Sequence, residues 1–449
     1  MPRRRRNPAL VRVAAVVIAV TASVAAPASA TAAPWRAEAV PSSGAVTLRD
    51  LVLAPGGAGL LTWEHFPPKR TALAARAPAQ PWSAATVTDL PGVTWGNAQL
   101  RTYGATRTIL VAQQRHGTLG RFATYRLVTA LGRTDGTFGP FQTLGERADA
   151  PAADADARGD ALVGWTRRDL GGVFVAQRPA GGRFGSARLL SRRTPASLAV
   201  AVGPRGDRVV AWVRDGAVFA AVRRPGHAWG AVQRVAAAQR VPNVGLAARV
   251  GPTGRVLLAW ESADVREGRP VRLEARAALG TTTTGAWRAT TLEAATVAEA
   301  GEGLTARPAF DSDGAPWVAW TGADAGATVV KAARLSGTAA PGDVTTLSPG
   351  QPGSILDDLA AGPRGALLAA WTTTDPTPTA GATTTTTSAA TRSPAAGWTP
   401  PEVLTPGGAA AIFGARAAYD PSTGEPAVAA ATIGADRAQR VLVLTGPPA

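Results

Sequence analysis

Short apolar runs separated by glycine-rich turns recur along this chain, and the recurrence predicts its architecture. A glycine stands six residues before a tryptophan six times: Gly57/Trp63, Gly159/Trp165, Gly206/Trp212, Gly254/Trp260, Gly314/Trp320 and Gly365/Trp371. In four of these pairs a proline lies two residues before the glycine: Pro55, Pro204, Pro252 and Pro363. The residues between are mostly Val, Leu and Ala, as in Arg208-Val209-Val210-Ala211-Trp212, which reads as a turn followed by a buried strand. Another apolar run precedes the turn, as in Leu198-Ala199-Val200-Ala201-Val202, so the two runs form a hairpin of strands A and B. A polar loop follows the tryptophan. Strand C then ends near an arginine (Arg76, Arg178, Arg223, Arg276, Arg334, Arg392), and after a turn an aromatic opens strand D (Trp82, Phe138, Phe184, Trp229, Trp287, Trp398).

Each unit is therefore a four-stranded meander, repeated with a period of roughly 40–50 residues. Two further units keep the spacing without the tryptophan, with strand B at Arg107 to Gln113 and at Pro426 to Thr432. The expected fold is an all-β propeller of about eight four-stranded blades, or seven if one degenerate unit is not a blade. Trp35-Arg36-Ala37-Glu38-Ala39-Val40 looks like a fourth strand lacking its first three, while residues 415–445 supply three strands lacking a fourth. Pairing them closes the ring. A string of separate β-sandwiches would also give many short strands, but it needs linkers between units and none is present. The Thr- and Pro-rich stretch 372–394 falls between strands B and C of the seventh unit and reads as a loop insertion within a blade.

These repeats, with the glycine-turn-strand-tryptophan pattern, resemble sialidase-like propellers over most of residues 35–445. That resemblance implies the propeller fold, an arginine triad for a substrate carboxylate, and a tyrosine with a glutamate as nucleophile pair. The family's Ser/Thr-x-Asp-x-Gly-x-x-Trp box has no match here. Asp311-Ser312-Asp313-Gly314-Ala315-Pro316-Trp317 comes nearest, with its serine out of register and its place in an A–B turn. Only Tyr103, Tyr125 and Tyr419 are available, and none stands beside a glutamate partner. The resemblance supports the fold and not the activity.

The N-terminus adds a compartment. Arg3, Arg4, Arg5, Arg6 and Arg12 precede an apolar run from Val13 to Ala26 and then Ala28-Ser29-Ala30, the pattern of a secretory signal peptide over residues 1–30. The run is too short to span a bilayer. The expectation is a bacterial protein, secreted or held at the outer face of the cell envelope, with residues 31–449 forming a single propeller domain. The Ala, Gly, Pro and Arg richness fits a high-GC genome. Removing the segment lowers the formal charge from +16 to +11. With no cysteine, disulfides and thiolate metal sites are excluded.

Propeller sites usually lie where B–C and D–A loops gather round the central channel. The charged residues after the strand-B tryptophans are therefore the candidate ligand contacts: Glu64, His65, Arg168, Asp169, Arg214, Asp215, Glu261 and Asp324, with Arg167, Asp264 and Asp375 nearby. Carboxylates beside arginines suit a carbohydrate, or an acid and base pair for glycoside hydrolysis. Solvated loops carry such charges in any soluble protein. With only His65, His116 and His227, no HExxH signature, no G-x-S-x-G elbow and no phosphate loop, neither metal nor cofactor is expected. Asp154, Asp156 and Asp160, or Asp311 and Asp313, suit calcium in composition but lie in A–B turns, where aspartate favours the backbone shape. The once-per-blade arginines read as spread around the ring, implying no specific nucleic acid. The expected function is a monomeric, non-enzymatic binding or scaffold propeller for a protein or glycan. The alternative is a divergent sialidase-like glycoside hydrolase or polysaccharide lyase.

Overall fold

The glycine of each Gly–Trp unit is dictated by its turn. In the computed structural model, Gly57, Gly159, Gly206, Gly254, Gly314 and Gly365 all hold φ between 77° and 89°, the left-handed region that a side chain disfavours. The structure describes residues 34–448, except 43–44, 67–69, 84–97, 117–123, 168, 238–244, 267–268, 285, 301–302, 375–384, 406–409 and 435. The expected signal segment 1–30 lies outside the described residues.

Eight antiparallel sheets form an eight-bladed β-propeller. Strand A of successive blades is Ala45–Leu53, Gln99–Tyr103, Ala148–Ala155, Ser197–Val202, Leu246–Val250, Ala306–Phe310, Ser354–Ala361 and Ala410–Tyr419. Strand B is Gly59–Phe66, Arg107–His116, Ala161–Arg167, Arg208–Arg214, Arg255–Arg266, Pro316–Asp324, Leu367–Thr374 and Pro426–Ile433. Both degenerate units are therefore blades. Arg36–Val40 pairs antiparallel with Gln439–Thr445, Arg36 opposite Thr445 and Val40 opposite Val441, and so supplies the last blade's outer strand. The expected clasp is present.

The strand-B tryptophans lie between blades, each seated in the blade before its own. Trp212 packs with Leu162, Val173 and Val175 of blade 3, and Trp260 with Val218 and Ala220 of blade 4. Trp63 packs with Ala429 and Val443 of blade 8, tightening the closure. All six are at most 1% exposed, and truncating a side chain of this size in a packed core costs about 3–5 kcal/mol. Blade 2, lacking the tryptophan, places the small Ala112 against Leu60 and Leu73 of blade 1, while Gln113, on the opposite face, donates from Nε2 to the Ala148 carbonyl of blade 3 at 2.8 Å. Three strand-C arginines stack on tryptophans, Arg76 over Trp82 at 5.4 Å, Arg276 over Trp260 at 5.6 Å and Arg392 over Trp317 at 4.2 Å.

Two details differ from the sequence reading. Phe138, Phe184 and Trp229 do not open strand D: they sit in the preceding turns, ahead of Gln142–Gly145, Arg188–Ser191 and Gln233–Ala237, where the buried rings of Phe184 and Trp229 fill the hairpin end. The Thr-rich tract is not wholly a loop, since Thr372–Thr374 end strand B and Thr385–Thr387 begin strand C of blade 7, where β-branched residues suit a pleated surface. Its centre, with Asp375, lies outside the described residues.

Candidate functional site

Strand A carries the site. Side chains alternate across a strand, and those of the innermost strands meet the neighbouring blades beside the ring's central opening. Seven of the eight A strands place a charged residue among apolar neighbours, as in Leu48-Arg49-Asp50-Leu51, Leu100-Arg101-Thr102, Ala248-Arg249-Val250 and Ala415-Arg416-Ala417. The ring brings these together around a central cavity of about 560 Å³, lined by Arg49, Asp50, Arg101, Asp154, Arg249, Arg307, Asp357, Asp358 and Arg416 with apolar strand-A residues between them.

The carboxylates join one blade to the next. Asp50 Oδ2 accepts the Leu100 N–H at 2.9 Å, Asp154 Oδ2 the Val202 N–H at 2.8 Å, and Asp358 Oδ2 the Ala417 N–H at 3.1 Å. Thr321 Oγ1 accepts the Leu356 N–H at 2.9 Å in the same manner. β-Bulges at Leu48/Asp50 and Leu356/Asp358 make Arg49 and Asp357 extra residues, re-aimed away from the regular alternation. Asp357 then accepts the Gly414 N–H at 2.9 Å through Oδ1 and the Thr372 hydroxyl at 2.6 Å through Oδ2. Burial pushes its carboxyl up to about 6, against these hydrogen bonds and the charge of Arg416.

The arginines divide into two kinds. Arg49 is neutralised by Glu64, with Nε and Nη2 at 2.9 and 2.5 Å from Oε1, and Arg101 by Asp50 at 2.7 Å and Asp154 at 3.5 Å. Burial alone would lower the Arg101 pKa, but Asp50 and Asp154 outweigh it and the net direction is up. Arg249, Arg307 and Arg416 have no carboxylate in ion-pair distance among the described residues. Their side chains donate to main-chain carbonyls: Arg249 to Ala248, Arg307 to Ala306 and Asp357, Arg416 to Arg49, Gly414 and Ala415. Burial lowers the Arg307 pKa, and the like charges of Arg416 and Arg249 add to that against Asp358 and Asp357. The three guanidiniums therefore share one electrostatic environment.

None of the six loop candidates with described side chains, Glu64, Asp169, Arg214, Asp215, Glu261 and Asp324, lines this cavity. Glu64 and Glu261 touch it through its arginines: Glu64 is 2% exposed beneath Arg49, and Glu261 lies within the field of Arg307, its carboxyl raised by burial against the Leu304 N–H and that arginine. Asp169 pairs with Arg167 at 2.7 Å and Arg147 at 3.4 Å. Arg214 lies over Phe219 at 4.3 Å, beside Asp215, which also meets Arg193 at 3.0 Å. Asp324 ends strand B of blade 6, exposed at the turn. His65 belongs to strand B of blade 1, its side chain outside the described residues, as is Arg168. The A–B turn carboxylates shape their turns: Asp311 accepts the Ala315 N–H at 2.7 Å and the Trp317 indole N–H at 3.1 Å, and Asp156 the N–H groups of Arg158 and Asp160.

No protein-family model and no curated protein matches this chain. Among solved structures it is similar to the WD40 domain of SCAP from fission yeast, at 10% identity over 92% of this chain and 98% of that one, with a TM-score of 0.45. It is similar to the polysaccharide lyase Uly1 at 10% identity, over 90% of each chain, with a TM-score of 0.41. A Hadza microbial sialidase gives 12% identity over 72% of this chain and 73% of that one, with a TM-score of 0.35.

Proposed function

We propose that the ring is an exported, non-enzymatic binding module, and that an acidic group of a glycan or protein partner sits in the channel against Arg249, Arg307 and Arg416. The observation that carries this reading is the group of three guanidiniums that, among the described residues, hydrogen-bond only main-chain carbonyls while crowding one another. Crowded cations without an ion-pair partner, here exposed Arg249 beside half-buried Arg307 and Arg416, are costly, and a carboxylate accepting two N–H groups from an arginine fork relieves that cost. Export rests on the arginine-rich, apolar N-terminal segment. The loop candidates Asp169, Arg214, Asp215 and Asp324, with His65 and Arg168, are proposed as the outer contact residues of the partner.

The non-enzymatic reading draws support from how the carboxylates are used. Asp50, Asp154 and Asp358 are taken up by backbone amides of the next blade, and none of the three tyrosines lines the cavity. The Tyr103 hydroxyl accepts from Arg178 at 3.1 Å, away from the channel. The hydrolase or lyase reading is favoured by one residue: the Asp357 carboxyl, titrating at about 6, is partly protonated near neutrality, as a general acid must be. Both of its oxygens are already engaged, which ranks that reading second.

Calorimetric titration with a galacturonic acid trimer, with reducing-sugar release followed in parallel, tests both. Saturable binding is expected, weakened at least about tenfold in Arg307→Gln/Arg416→Gln, with no product formed. Equal binding of a neutral galactose trimer, or binding unchanged in the double variant, overturns the channel site. Product release abolished by Asp357→Asn establishes the enzyme instead.

A further inference from the structure

The ring's charge is not spread evenly, contrary to the expectation from its once-per-blade arginines. Residues 170–260, from strand C of blade 3 into strand B of blade 5, contain fourteen arginines and two acidic residues. The rest of the chain from Pro34 onward has 28 basic and 29 acidic residues, so this sector holds all of the ring's net positive charge. Both acids are occupied. Asp207 accepts the Thr282 hydroxyl at 2.8 Å and faces Arg205 at 3.5 Å, and Asp215 faces Arg193 and Arg214.

Several of these arginines have other work, Arg178 and Arg208 inside the protein and Arg249 in the channel. Five do not. Arg183, Arg188, Arg192, Arg224 and Arg234 are exposed and, among the described residues, make no ion pair or side-chain hydrogen bond. Arg188 and Arg234 lie on the outer strands Arg188–Ser191 and Gln233–Ala237 of blades 3 and 4. Arg183 and Arg224 stand in the turns leading to those strands, and Arg192 directly follows the first.

We propose that the outer edge of blades 3 and 4 is a docking surface for an acidic polysaccharide, a linear chain of carboxylated or sulfated sugars. The unpaired guanidiniums run along two adjacent blade edges rather than into a pocket, which suits a polymer over a single small anion. All the cations of the sector are arginine, whose planar fork matches carboxylate and sulfate better than an ammonium does. The large exposed apolar side chains are Leu and Val, including Leu189 and Val232 in this sector. Among the described residues no exposed aromatic platform is offered for stacking bases, and no exposed aromatic wedge for a lipid surface. The surface is separate from the channel and does not depend on the channel's ligand.

The test measures binding of the full chain to immobilised heparin and to polygalacturonate between about 50 and about 500 mM salt. It compares Arg188→Gln/Arg192→Gln/Arg234→Gln with Arg107→Gln/Arg288→Gln/Arg334→Gln, which removes the same charge from exposed arginines elsewhere on the ring. The sector variant is expected to bind at least about tenfold more weakly, with the slope of log affinity on log salt reduced by about two, and the other to stay within about twofold. Equal losses in both variants reduce the effect to net charge and overturn the proposal. So does salt-independent binding, or tighter binding to single-stranded DNA or phosphatidylserine vesicles than to either polysaccharide. Arg307→Gln/Arg416→Gln is expected to retain polymer binding, and loss there with the sector intact assigns the polymer to the channel instead.

Discussion

Arg416 Nε donates to the main-chain carbonyl of Arg49 at 2.9 Å, tying the inner strand of the last blade to that of the first where the ring closes. The amides accepted by Asp50, Asp154 and Asp358 do the same between other blades. Groups that line the channel are thus the groups that hold the ring's inner circumference. Substitutions there therefore bear on the stability of the ring as well as on the proposed binding.

Asp50 is the clearest stability residue in the channel, because one oxygen serves both the Leu100 N–H and Arg101 Nη1, at 2.9 and 2.7 Å. Asp50→Ala leaves a backbone donor without its acceptor and an arginine short of its nearest counter-charge. The expected loss is about 2–3 kcal/mol, read as a lower urea midpoint. Asp50→Asn, which keeps an acceptor for Leu100, is expected to recover part of it. Equal midpoints for Asp50→Ala and the wild type would remove this carboxylate from the inter-blade joint.

Asp357 predicts a pH dependence of definite sign. Burial raises its carboxyl from 3.8 to about 6, so the folded protein holds this proton more tightly than the unfolded chain does. The stability it contributes is complete below about pH 4 and is lost as pH rises through 6, by at most about 3 kcal/mol. Asp357→Asn cannot lose a proton and so escapes that decline. Urea midpoints measured across the window are expected to favour the variant progressively as pH rises. A difference that stays constant with pH contradicts the assignment.

The blades were legible because their signal is local: a left-handed glycine, an alternating strand and a large ring to plug the neighbouring blade lie within seven residues of one another. The closure was legible because the two ends complete one sheet. The channel was not. Its residues come one or two per blade, dozens of positions apart, and each looks like an isolated charge in an apolar strand. The available signal is the charge itself, since Arg249 between Ala248 and Val250 or Arg416 between Ala415 and Ala417 is out of place in a strand covered on both sides. Reading the charges after the tryptophans instead found Glu64 and Glu261, which reach the cavity through Arg49 and Arg307. The concentration of charge in residues 170–260 was readable too, but counting arginines by blade position hid the missing acids beside them.

Inter-blade fit predicts a contrast between two glycines. A Cβ at Gly251 would stand 2.8 Å from the ring of Phe310 in the next blade, while one at Gly337 meets nothing. Gly251→Ala must shift a packed aromatic and is expected to cost about 1–3 kcal/mol. Gly337→Ala is expected to be neutral or slightly stabilising, because it restricts only the unfolded chain. Denaturation midpoints of the two variants that coincide would show that the blade interface yields freely at Phe310.

The closing strand predicts an effect on association as well as on stability. Val40 is 2% exposed opposite Val441, in the cluster that also holds Trp63. Without Arg36–Val40, the edge of Gln439–Thr445 presents a row of unpaired amides and carbonyls flanked by Val441, Val443 and Leu444. An open apolar edge of this kind recruits another strand. Deletion of residues 1–40 is therefore expected to lower the thermal midpoint and to produce dimers or larger species in light scattering, whereas Val40→Asp, which keeps the backbone pairing but buries a charge, should lower the midpoint with less association. A deletion variant that stays monomeric at the wild-type midpoint would mean that blade 8 is held by its inner contacts, Arg416 to Arg49 foremost, and not by the strand that completes its sheet.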